Sequence, residues 1–138
     1  MSANSQFSVM VHILTALAAA PVPVSSAAIA DSVNTNPVTI RKAIGKLRVA
    51  GLVETISGSK GGATLRKDAS QITLADILEI VKEDCLGKHA NPPNPNCPVG
   101  GNIQKVMRNI HEELDGLITE TLAKKTINDI WEEIKATL

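Results

Sequence analysis

The chain has 138 residues, 43% of them hydrophobic, and 14 Lys+Arg balance 14 Asp+Glu, which fits one core-forming domain and not a disordered chain. Phe7 and Trp131 are the only aromatic residues and there are two cysteines, so single-strand modules that stack bases and disulfide scaffolds are disfavoured, and a reducing, cytoplasmic setting is expected. No apolar run reaches the roughly 18 residues of a membrane span, and MSANSQFSVM lacks the basic stretch of a secretory signal.

The first predicted element covers residues 6–19. Phe7, Met10, Val11, Leu14, Leu17 and Ala18 repeat at helical spacing, and Pro21 and Pro23 end the run. Ser25 then caps a short second helix that reaches about Ser32 or Val33. A third helix follows over 37–50. Asn36 is its cap, Pro37 takes the first turn, and Gly51 is the stop. Ile40, Ala43, Ile44 and Leu47 form its apolar stripe, with Thr39, Arg41, Lys42, Lys46 and Arg48 opposite. After Gly51 the period changes. LVETI and ATLRK are short and rich in β-branched residues, and SGSKGG between them holds three glycines, the signature of a hairpin with a flexible tip. No P-loop pattern accompanies those glycines.

Thr73 and Asp76 resemble a capping box for a fourth helix with Leu74, Ile77, Leu78 and Val81 on one side. The segment DCLGKHANPPNPNCPVGG contains four of the seven prolines and reads as a long loop. Helical pattern resumes near Asn102. Ile103, Met107, Ile110, Leu114, Leu117 and Thr121 are spaced as a heptad seam, with Val106, Ile118 and Leu122 beside it. Thr126 and Asp129 open a last helix carrying Ile127, Ile130, Trp131, Ile134 and Leu138.

Charge is unevenly placed along these elements. Residues 1–75 hold seven basic and three acidic side chains, and 76–138 hold seven and eleven. All seven N-terminal cations fall between 41 and 67, which suits a local polyanion site. Three short helices and a hairpin form a mainly α winged helix-turn-helix, in which the third helix would enter the DNA major groove. Arg41 is then placed to read guanine, and Thr39 a base edge or thymine methyl. Lys42, Lys46 and Arg48 are placed as phosphate contacts. Ser59 and Lys60 at the hairpin tip would reach the adjacent minor groove or its phosphates, and Ser25 and Ser26 begin a helix whose N–H groups suit a phosphate. The long helix is expected to dimerise through Ile103, Met107, Ile110, Leu114, Leu117 and Thr121, giving a two-fold reader of near-palindromic duplex. The expected division is 1–82 for DNA binding, 83–101 for a Cys/Pro-rich loop in the sensor position, and 102–138 for the dimerisation and terminal helices. His12, His89 and His111 are scattered, and no catalytic triad, HExxH or carboxylate pair stands out. The competing reading is a dimeric adaptor that uses the winged helix to bind protein.

Residues 29–81, IADSVNTNPVTIRKAIGKLRVAGLVETISGSKGGATLRKDASQITLADILEIV, resemble the Rrf-type family of bacterial winged-helix transcription regulators, which includes IscR, NsrR and CymR. The loop ending NPNCPVG is most similar to the YwnA-like branch. The resemblance covers nearly the whole chain. It implies a cytoplasmic homodimer that represses or activates genes, repression being the expected sign, with the long helix as dimer interface. Cluster-binding members carry three cysteines before that helix. This chain has Cys85 and Cys97, with Asn91 about where the middle one would stand. Two thiolates fall short of the usual ligation, so no iron–sulfur cluster or other cofactor is expected. Three readings stay open for the pair: free thiols, a thiol switch, or a Cys/His/Cys site completed by His89. A small molecule or partner protein as effector is equally open.

Overall fold

The computed structural model describes residues 3–81 and 91–138. In chain order the elements are α1 (Ala3–Ala19), α2 (Ser26–Val33), α3 (Pro37–Val49), β1 (Val53–Ile56), β2 (Gly62–Leu65), a 3-10 turn (Ala69–Gln71), α4 (Leu74–Val81), α5 (Ile103–Ala123) and α6 (Ile127–Lys135). No described helix is long and apolar enough to cross a membrane.

α1 is the hub. Met10, Ile13, Leu14 and Leu17 repeat at helical spacing and are almost completely buried. Around them pack α2, α3, α4, α6 and β2. Ile29 and Ala30 of α2, Ile40, Ile44 and Leu47 of α3, Ile77 of α4 and Ile127 of α6 complete the core.

Local chemistry sets the ends of the elements. The Asn36 side chain accepts from Thr39 N at 3.0 Å, and Pro37 occupies the first turn of α3. The other end of α3 closes in a Schellman motif. Leu52 N donates to Leu47 O at 3.0 Å and Gly51 N to Arg48 O at 2.9 Å, with Gly51 at φ +80°. Leu52 and Leu47 are both buried, so the turn is also a hydrophobic clasp. α2 ends at Asn34 in the left-handed region, φ 62°. Asparagine tolerates that conformation better than most residues, and it starts the turn into α3. Both expected capping boxes form. Thr73 with Asp76 opens α4 through bonds of 3.0 and 3.2 Å, and Thr126 with Asp129 opens α6 through bonds of 2.9 and 3.1 Å.

β1 and β2 pair antiparallel, Val53 opposite Leu65 and Ile56 opposite Gly62. The second strand starts at Gly62 and stops at Leu65, so Arg66 and Lys67 of the expected ATLRK strand lie beyond it. Arg66 N instead donates to Leu52 O at 2.9 Å. A third partner was not anticipated. Val24, just before α2, exchanges two backbone bonds of 3.0 and 2.8 Å with Ala63, which ties the hairpin to the first helix of the helix-turn-helix. Further on, Leu74 N donates to Lys125 O and Ile127 N to Ile72 O, both at 2.9 Å, so Thr73 bridges Thr126 and α6 returns across α1. Leu138 lies past the end of α6 and is 91% exposed.

α5 differs from the other helices. None of its residues is buried. It packs on α4, and Leu122 reaches the core. Val106, Ile110 and Leu117 remain 53%, 41% and 54% exposed. Ile103, Met107, Leu114 and Ile118 are half-buried, and Thr121 is exposed.

Candidate nucleic-acid interface

At about 100° per residue, the buried stripe of α3 leaves two flanks and an outer ridge. The cations expected on one opposite face are divided between those flanks. Arg41 and Arg48 are seven residues apart and face the hairpin. Together with Ser26, Thr55, Gly45 and Gly62 they line a groove of about 250 Å³ between α3 and β1–β2. Thr39, Lys42 and Lys46 face α1, where with Gln6, Val9, Met10 and Ala43 they line a second cleft. The ridge between the flanks carries Val38, 53% exposed, a position not singled out from the sequence. Its signal was present, since an apolar residue two places inside the helix lies off the buried stripe.

Among the described residues, Arg41, Lys42 and Arg48 have no hydrogen-bond or ion-pair partner. They are exposed and available to an outside anion. Lys46 differs, because its Nζ donates to Gln6 Oε1 at 3.3 Å. Thr39 is half-buried. Ser25 already serves the fold: its Oγ accepts from Ala28 N at 3.1 Å as the cap of α2, while Ser26 faces the groove. Ser59 and Lys60 sit exposed at the hairpin tip, in a turn closed by Gly61 N donating to Gly58 O at 3.0 Å.

Two further features lie away from this surface. His12 Nε2 is 2.8 Å from Ser32 Oγ, linking α1 to the last turn of α2, a partner that sequence reasoning did not supply. Cys97 is exposed in the turns leading to α5. The backbone N–H groups of Gly100 and then Val99 hold its thiol below the ordinary range. Cys85 and His89 lie outside the described residues.

A helix-turn-helix whose second helix presents unpaired cations, followed by a hairpin fixed beside it, defines a winged helix-turn-helix protein. Comparison with known proteins agrees. A family model described as Rrf2, iron-dependent transcriptional regulator, matches residues 3–133. YwnA of Bacillus subtilis (strain 168), a candidate helix-turn-helix transcriptional regulator, is 38% identical over 129 residues, 92% of this chain and 95% of that one. The crystal structure of a candidate DNA-binding protein is 34% identical, with a TM-score of 0.71 over 91% of this chain and 97% of that one. IscR of T. potens shares the fold at 24% identity, with a TM-score of 0.73 over 97% of this chain and 89% of its own. The chain belongs to the Rrf2 family of transcriptional regulators.

The family description names iron, and the donors of this chain are few. Among the described residues no three His, Cys, Asp or Glu side chains converge. The whole chain offers two cysteines, one fewer than the resemblance requires, with Asn91 about where the middle one would stand. That donor set does not fit cluster ligation.

Proposed function

We propose that the chain is a homodimeric transcription regulator that binds near-palindromic double-stranded DNA in the cytoplasm and acts as a repressor. It acts by binding and not by catalysis. α3 enters the major groove and the hairpin lies over the neighbouring minor groove. Arg41 reads a base edge, while Lys42, Arg48 and Lys60 hold phosphates. Thr39 and Lys46 flank the contact from the α1 side, and Ser25, Ser26 and Ser59 border it. The observation that carries this reading is the exposed trio Arg41, Lys42 and Arg48 on α3, with no partner among the described residues, beside a hairpin anchored to α2.

The uncovered strip Val106, Ile110 and Leu117 supports dimerisation through α5. The seam Ile103, Met107, Ile110, Leu114, Leu117 and Thr121 then lies at or beside the two-fold. Such a dimer sets two reading helices about 34 Å, or a multiple, apart. Cys97, exposed with a lowered pKa, is suited to answer an oxidant, alone or together with Cys85. A bound small molecule or partner protein is the alternative effector.

The test is anisotropy of the purified protein on duplex from upstream of its own gene and on random duplex, across a salt series with and without reductant. Sequence-selective binding with a log–log salt slope of about −5 to −8 is expected. Weak, salt-insensitive association with both duplexes would overturn the reading in favour of an adaptor.

A further inference from the structure

Glycine is the least favoured residue in a helix interior after proline, and most glycines of this chain have a visible reason. A Cβ at Gly61 would collide with the Ile56 carbonyl, and one at Gly62 with the Val24 carbonyl. Gly51 sits at φ +80°, where side chains are strained. Gly45 has no such reason. It lies in the middle of α3, and nothing comes within 4 Å of a Cβ built there. The chain itself gains nothing from its missing side chain.

What surrounds Gly45 points outward. It lines the groove between α3 and the hairpin together with Arg41, Arg48, Ser26 and Thr55. Neither arginine has a partner among the described residues. When a helix occupies the major groove and a hairpin the adjacent minor groove, the strand that separates the two grooves passes between them. A side chain at position 45 would stand in that path.

We propose that Gly45 is a contact-permitting position, whose missing side chain lets one sugar–phosphate strand of duplex DNA seat between α3 and the hairpin, with Arg48 and Ser26 on its phosphates. This rests on the DNA-binding reading above and adds the place where the backbone enters. Gly116 in α5 supplies the control: it is equally open, exposed, and outside the groove.

The experiment compares Gly45→Ala, Gly45→Leu and Gly116→Ala with the wild-type chain. Thermal unfolding is measured alongside anisotropy on a selected operator and on random duplex. Both alanine variants should melt about 2–4 °C higher, because alanine favours the helix and meets no obstacle. Gly45→Ala should nevertheless bind both duplexes about tenfold more weakly, roughly the loss of one backbone contact. Gly45→Leu should lose more, and Gly116→Ala nothing. Wild-type affinity in Gly45→Ala would overturn the proposal. A loss confined to the operator would overturn the strand seat in favour of a base-edge contact. A wild-type chain that binds no duplex would overturn the DNA-binding reading, and this inference with it.

Discussion

Leu117 offers the sharpest test of self-association. It is 54% exposed on α5, in line with Val106 at 53% and Ile110 at 41%. Fully burying such a side chain is worth about 1.5–3 kcal/mol, so covering the exposed half is worth about 0.8–1.5 kcal/mol. A two-fold interface counts each residue twice. Leu117→Ala should therefore weaken the dimer by about 1.5–3 kcal/mol, or about 10–150-fold in Kd. All three positions together supply only about 4–9 kcal/mol, less than the roughly 12 kcal/mol of a nanomolar dimer. Other parts of the seam must contribute, so the variant should shift the equilibrium and not abolish it. Sedimentation equilibrium over a concentration series measures this directly, with Glu112→Ala on the opposite side of the helix as control. The reasoning fails if Leu117→Ala leaves a wild-type dissociation constant, or if the wild-type chain stays monomeric at micromolar concentration.

Three other outcomes are expected. Arg41→Ala should cost about 1–3 kcal/mol at the operator and relax one base preference without lowering the melting temperature, since Arg41 holds no partner among the described residues; equal losses on operator and random duplex would remove its reading role. Asn36→Ala deletes the cap on Thr39 N and should cost about 0.5–2 kcal/mol of stability by thermal unfolding, most of it recovered by Asn36→Ser. In a Cys85→Ser background, alkylation of Cys97 should follow a pH curve whose midpoint lies below that of the same chain unfolded in denaturant, because the Gly100 and Val99 N–H groups favour the thiolate. The lowered pKa raises the thiolate fraction at neutral pH, and a midpoint at or above that of the unfolded chain would contradict it.

What the sequence disclosed was mainly local. Asn36, Pro37 and Gly51 act within one turn of where they stand, as do the Thr73–Asp76 and Thr126–Asp129 boxes, and each was legible as spacing. Pairings between distant segments were not. Nothing in Val24 announces its bonds to Ala63, and nothing in Thr73 announces Thr126, because a backbone ladder leaves little trace in side-chain type. The basic residues were legible as a group but their division between two flanks was not, since that depends on which neighbour covers each side of α3. Gly45 was legible in retrospect, as a glycine inside a strong helical pattern.

The Thr73–Thr126 bridge carries a wider consequence. The chain passes Leu74 at the start of α4 and comes back beside it at Lys125, and one backbone bond of 2.9 Å joins the two points. What lies between is not detachable, because Leu74 and Ile77 of α4 are buried in the core and Leu122 of α5 packs against it. Only the described part away from those contacts, the turns at 91–102 and the exposed length of α5, can lengthen, shorten or be exchanged without disturbing the core or the distance between the anchors. Change confined to that stretch would leave the α3–hairpin surface in place.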